Sequence, residues 1–395
     1  MSLMQIISKG ILFSSLIGMS FLAGDYNTKK DVSISNISKE IYVPEYKRGL
    51  EKVFMKFQPE IEYQDNLIKE VLNYSDINFM VAKSAKKEFE SFLKTIPKNS
   101  NKILPFYYES EGILRQSWAQ DLFEFLVTDK NKKIVFPEEI SFINSPSSLF
   151  EILEKDSIPY TLSKNNFEGG NISYDYFKRK NILFVGDRSP NSRNLTKYEK
   201  MINYKKYFGA DTIVFFNNNP NETPLFHLDQ CFTLIDSGKV AVINLDNYSM
   251  EDFYNEKGKD LSVLEENFYF NYSSVGANSI LVSDVLTNSL NYSKKMLRGI
   301  RDKFNQLGYE VFSLPASFWQ IVNYQSYMNS RLFIDGGKRK ILMPIFPNEE
   351  GIYDINYFRN KKAKTFFESF GLEVIPVENK SWTKQGNIHC LINEI

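Results

Sequence analysis

Two kinds of segment alternate along this chain. From about Glu45 onward, short apolar runs bounded by glycine, asparagine, proline or charge recur with amphipathic stretches between them. "DINFMVAK", "KKIVFP", "NILFVG", "DTIVFF", "KVAVINL" and "RKILMPIF" have the length and composition of buried strands. Between them "SAKKEFESFLKTI" reads as a helix capped by Ser84, with Glu88 close behind. "SKKMLRGIRDKFNQLG" and "KKAKTFFESFG" read as helices stopped by Gly308 and Gly371. Strands and helices interleaved in this way predict an α/β fold. No break follows residue 45 and no repeat of fixed period is visible, so residues 45–395 read as one continuous domain.

Ahead of that domain the pattern changes. Lys9 precedes an uncharged run, "GILFSSLIGMSFLAG", and Asp25 follows it. The run is short for a bilayer span but fits the apolar part of a secretory leader over residues 1–24, with no stable membrane insertion after cleavage. A cleaved chain would be secreted or periplasmic, an uncleaved one cytoplasmic. Residues 25–44 are polar with no apolar face and read as a linker or arm. The 48 basic residues balance the 48 acidic ones, so no nucleic-acid partner is expected. The absence of GxGxxG and GxxxxGK[ST] excludes the common nucleotide-cradling loops.

Reactive side chains are scarce. Two histidines and two cysteines fall in "FHLDQC" (His227, Cys231) and "NIHC" (His389, Cys390). If residues 226–232 form a strand, His227, Asp229 and Cys231 share a face and can act on one small ligand. A solvent-facing edge strand fits the same letters. "FEGGN" sets Glu168 before two glycines, which permit a tight turn, a positive φ or the close approach of another group. A carboxylate there can orient a histidine, although an ordinary surface turn reads as well. "SWAQDLFEFL" places Asp121 and Glu124 among Trp118, Phe123 and Phe125, a setting that suits a planar cation or simply an amphipathic element. Cys390 needs a nearby base or cation to act as a thiolate at neutral pH. No metal is expected, because CxxC is absent and His227, Asp229, Cys231 and His389 match no ligand spacing. A Cys231–Cys390 disulfide, if formed, would block the nucleophile.

Taken together and in this order, the stretches resemble the guanidino-group-modifying enzymes, the pentein superfamily of agmatine deiminases, arginine deiminases, amidinotransferases and protein-arginine deiminases. "FEGGN" resembles their Glu-Gly-Gly turn and "FHLDQCFTLID" their His-x-Asp segment. "SYMNSRLFIDGGKRKILMPIF" resembles the stretch before the nucleophile, with its asparagine at Asn329, and "GNIHCL" the agmatine deiminase ending. "SWAQDLFEF" is similar to the family's Trp-x-Arg-Asp segment. Gln120 stands in place of the arginine, in a Gln-Asp-x-x-Glu-Phe form that looks more like protein-arginine deiminases. Lys384 and Gln385 stand where agmatine deiminases usually have further glycine.

The resemblance, over residues 45–395, implies a five-module α/β propeller in which each module gives one corner of a central site. It implies that Asp121 and Asp229 clamp a guanidinium, with Trp118 and Asn329 beside the substrate. Cys390 would attack the guanidinium carbon, His227 would serve as acid and then base, and Glu168 would orient His227. His389 would only shape the loop. Hydrolysis would give a ureido product and ammonia with no cofactor. The expected substrate is arginine in a protein or peptide, giving citrulline. Alternatives are agmatine or free arginine, transfer to an amine, and a catalytically silent binding or effector module.

Overall fold

The apolar runs become strands, and among the described residues these strands fall into five sheets. The computed structural model describes residues 40–57, 64–96, 102–108, 123–138, 153–154, 157–186, 195–216, 225, 227–257, 279–347, 355–378 and 387–394. The leader and most of the arm lie outside them, as do Trp118, Gln120, Asp121, Lys384 and Gln385.

Strands β1 (Lys52–Lys56), β2 (Asp76–Ala82) and β3 (Ile103–Tyr108) run parallel in the first sheet. The second holds β4 (Glu124–Val127), β5 (Lys132–Phe136) and β6 (Tyr160–Leu162), the third β7 (Ile172–Phe177), β8 (Lys180–Gly186) and β9 (Thr212–Phe216). The fourth holds β10 (Phe232–Asp236), β11 (Lys239–Asn244) and β12 (Glu310–Pro315), the fifth β13 (Arg331–Asp335), β14 (Lys338–Ile345) and β15 (Glu373–Glu378). In the second to fifth sheets an antiparallel pair is followed by a parallel third strand. Finally β16 (Asn393–Glu394) returns to the first sheet and pairs antiparallel with β1. The order β16-β1-β2 thus repeats the same pattern with strands from distant parts of the chain.

A parallel neighbour requires a crossover, and helices supply it. Helices Lys197–Phe208, Ser279–Leu307 and Ile355–Glu368 link the parallel strands of the third, fourth and fifth sheets. Gly308 and Gly371 follow the last two in left-handed conformation, as their positions in the sequence predict. Ser84 does not cap its helix. Residues Lys83–Ala85 form a 3-10 turn instead, and Ala85 stands at the N-cap of helix Lys86–Leu93 without a side-chain acceptor. The aromatic richness goes into the core: Phe304 of the long helix meets Phe184, Phe216, Phe232 and Tyr309 at centroid distances between 4.9 and 5.6 Å. Each such pair adds about 0.5–1.5 kcal/mol beyond its buried area, and together they tie the third sheet to the fourth.

The end of the stretch read as an arm is docked. Tyr42 bridges Thr128 after β4, its N–H donates to Asn181 Oδ1 at 3.0 Å, and its hydroxyl donates to Phe208 O at 2.8 Å. Tyr46 donates to Asp175 Oδ1, whose other oxygen accepts from Tyr309 at 2.8 Å. Arg48 O accepts the Ile334 N–H at 2.6 Å. The segment therefore touches the second, third and fifth sheets and carries Glu45 on the 3-10 turn Glu45–Lys47.

Candidate active site

Four candidate residues stand just ahead of the leading antiparallel strand of a sheet: Glu168 before β7, Asp229 before β10, Asn329 before β13 and Cys390 before β16. Asp121 precedes β4 in the sequence but lies outside the described residues, as does Trp118. The fold thus delivers chemistry to one place from widely separated parts of the chain.

The "FHLDQC" stretch is not a strand. His227 O accepts the Gln230 N–H at 3.2 Å and Leu228 O accepts that of Cys231 at 2.8 Å, which closes a 3-10 turn over Leu228–Gln230. The strand starts only at Phe232, so the common face of His227, Asp229 and Cys231 does not exist. Cys231 Sγ donates to His227 O at 3.3 Å within the hydrophobic core. Burial, with Asp229 adding to it, pushes the Cys231 thiol well above its ordinary value. Both cysteines are free thiols.

His227 Nε2 lies 2.9 Å from Glu168 Oε2, and Asn171 Nδ2 donates to that same oxygen at 3.3 Å. The backbone of Gly170 makes this possible. A Cβ there would lie 2.6 Å from His227 Nδ1 and 3.1 Å from Asp229 Oδ2. Of the roles that glycine allows, close approach is the one in use. A nitrogen of His227, a carboxylate oxygen of Asp229 and Cys390 Sγ all lie within 4.8 Å of one another. Such donor types also bind divalent cations; here His227 Nε2 faces Glu168, Asp229 Oδ2 faces His389, and the sulfur accepts an amide N–H.

That amide is Asn329, which grips Cys390 twice. Its Nδ2 donates to Sγ at 3.1 Å and its Oδ1 accepts the Cys390 N–H at 3.3 Å. The helical turn Ile388–Leu391 is buried, with Cys390 only 1% exposed. Asn387 Nδ2 donates to Tyr324 O at 2.7 Å, beside a Tyr324 backbone held at φ 57°. The C-terminal segment is therefore docked into the protein, with the thiol against Asp229 Oδ2 at 3.4 Å.

His389 does more than shape the loop. Its Nδ1 lies 3.1 Å from Asp229 Oδ2 and its Nε2 3.1 Å from Glu45 Oε1, an oxygen that also accepts from Arg331 Nη1. Burial disfavours the imidazolium, but Glu45 and Asp229 outweigh it, and the His389 pKa is pushed up to about 10. Burial likewise opposes ionisation of Glu45, yet Arg331, His389 and Arg48 hold it well below the usual carboxylate range. Glu124 goes the other way: burial and then the nearby Glu45 charge push it up to about 8. Glu45, Glu124, Asp229, Thr233, Ser330 and His389 line a cavity of about 40 Å³. Asp229 Oδ1 is buried and accepts no hydrogen bond among the described residues, an acceptor whose burial costs free energy until a donor arrives.

Glu45, Arg331 and Asn387 were not legible as site residues. The one signal was a charge directly ahead of the apolar run "LFI" in "RLFID", and Arg331 is indeed 2% exposed.

No protein-family model and no curated protein sequence matches the chain. Solved structures do match in shape. The C. jejuni agmatine deiminase superposes with a TM-score of 0.56 at 15% identity, over 90% of this chain and 95% of that one. A structural-genomics structure, provisionally assigned as an agmatine deiminase, superposes with a TM-score of 0.55 at 14% identity, again over 90% and 95%. At such identities the likeness is one of fold alone.

Proposed function

We propose, with that shared fold as the premise, that the chain hydrolyses a guanidinium group through a Cys390 thiolate. The observation that carries this is Asp229 Oδ1, an open buried carboxylate oxygen on a residue whose other oxygen touches the thiol. A guanidinium is a planar cation whose N–H groups only donate, so it satisfies that acceptor with a charge-assisted hydrogen bond. It then presents its carbon to Sγ at short range.

In the proposed sequence the thiolate adds to the guanidinium carbon, and His227 gives a proton to the departing nitrogen, which leaves as ammonia. The amidino-thioether that remains is attacked by a water that His227 deprotonates. The C–S bond breaks, the thiolate returns, and a ureido product leaves. Glu168, 2.9 Å from Nε2, orients the ring and supports its charged form. Asn329 steadies the sulfur. Asp121 and Trp118, outside the described residues, are assigned the second clamp and a flanking substrate contact from the family resemblance alone. The five sheets are read as the modules of an α/β propeller with the site where their leading strands begin.

A small guanidino compound, agmatine or free arginine, is the preferred substrate. Both matched structures carry the name agmatine deiminase, and "GNIHCL" resembles that family's ending. Arginine in a protein or peptide rests on the Gln-Asp-x-x-Glu-Phe form and on the leader-like residues 1–24. Export after removal of residues 1–24 belongs to the same proposal, and recovery of Met1 on the mature protein from cells would overturn it.

The test is release of ammonia and formation of a ureido product from agmatine, arginine and an arginine-containing peptide. Turnover of a small compound is expected, with a loss on the order of 10⁴ or more in a folded Cys390→Ala variant. Turnover of the peptide alone would reverse the substrate preference. Full activity without the thiol would end the proposal.

A further inference from the structure

We infer that His389 is a positioning residue: an imidazolium fixed between Glu45 and Asp229 that engages one oxygen of Asp229 and leaves the other for substrate. The role of Asp229 rests on the guanidinium reading, whereas the charge state of His389 does not.

Geometry carries the charge assignment. Each ring nitrogen has a carboxylate oxygen at 3.1 Å, Asp229 Oδ2 at Nδ1 and Glu45 Oε1 at Nε2. Ionised carboxylates only accept, and a neutral imidazole has a single N–H, so one of the two contacts would set lone pair against lone pair. Only the imidazolium donates to both. The competing arrangement is a neutral ring that donates to Asp229 and accepts from Arg331 Nη1. That nitrogen is 3.5 Å from Nε2, farther than Glu45, and already donates to Glu45 Oε1.

The charged and titratable groups around His389 agree. Glu45 and Asp229 face it, Arg331 Nη1 reaches within 3.5 Å of Nε2 while donating to Glu45, Arg48 lies 4.0 Å from Glu45, and Glu124 lines the same cavity. Cys390 is the next residue in the chain. Burial lowers the His389 pKa and the two carboxylates raise it more, to about 10.

The consequence is mechanical. The residue that turns Asp229 immediately precedes the nucleophile, and its own N–H donates to Asn329 O at 3.3 Å. The clamp and the thiol are therefore set by one short segment, and a shift of His389 misplaces both.

The chain contains only two histidines, which makes the charge state directly readable. Full-length protein labelled with ¹⁵N in histidine shows two rings. One is expected to keep both nitrogens protonated from about pH 6 to about pH 9, far above the ordinary histidine range. That signal should survive in Glu168→Gln, which perturbs His227, and vanish in His389→Asn. Should His389→Asn not fold, Glu45→Gln serves instead and should lower the midpoint of the same signal. Two rings that both titrate near their ordinary value overturn the inference, as does a fixed signal lost in Glu168→Gln. For the positioning role, His389→Asn should raise KM for a guanidino substrate roughly ten- to hundredfold, the value of a charged hydrogen bond. An unchanged KM would contradict it, while the NMR result stands whatever the substrate proves to be.

Discussion

Glu124 sits in the site's small cavity as a buried carboxyl whose burial, reinforced by Glu45, raises its pKa to about 8. In the folded chain it holds its proton up to that pH, whereas the ordinary carboxyl ionises near 4.5. The unfolded state therefore sheds the proton first. Stability contributed by neutral Glu124 is fully present below about pH 4.5 and lost as pH rises towards about 8. Glu124→Gln keeps the shape without the charge. Its melting temperature relative to the native chain should change little near pH 4, climb through about pH 8, and level off above. A difference that stays flat across this range would contradict the assignment. Gly170 makes the complementary point: it brings no chemistry, yet its missing Cβ gives the His227 ring room to meet Glu168.

Among the elements, those with long apolar runs were the legible ones. "DINFMVAK", "NILFVG" and "KVAVINL" are strands because burial on both faces rewards continuous apolar sequence. "FHLDQC" alternates like a strand but is a turn, because local backbone bonds and the Gln230 side chain satisfy it before pairing begins at Phe232. Ser84 failed as a cap for a similar reason, since a 3-10 turn already occupies Lys83–Ala85. Ser84→Ala should therefore shift stability by less than about 0.5 kcal/mol, where loss of a formed cap costs typically ~1 kcal/mol. Chemical denaturation resolves the two. A full kilocalorie lost would mean that the serine caps after all.

Across the whole molecule, the same strand pattern recurs in five sheets although the sequence shows no fixed period. The reason lies in the crossovers. Among the described residues the stretch from β11 to β12 holds two helices, including Ser279–Leu307, while β5 to β6 is far shorter. Loop closure costs grow slowly with length, so the spacing can drift while the pairing is kept. Convergence in space also explains why Glu45 and Arg331 escaped sequence reasoning: their roles exist only once the fold brings them to His389. The return of β16 to β1 fixes the segment that carries Cys390, and Asn393 secures it by donating to Phe123 O at 2.8 Å, just before β4. Asn393→Ala should cost about 1–3 kcal/mol of stability and lower activity although it touches no reacting atom. A variant with native melting and native activity would show that this tie does not position Cys390.

The proposed chemistry requires Cys390 to form a covalent bond to a guanidinium carbon. Acid-quenched turnover mixtures, examined by intact mass and peptide mapping, test it most directly. An amidino adduct is expected on Cys390 alone and is expected to be absent in Cys390→Ser. Continued ammonia release by Cys390→Ser, with no adduct on any cysteine of the native chain, would contradict it.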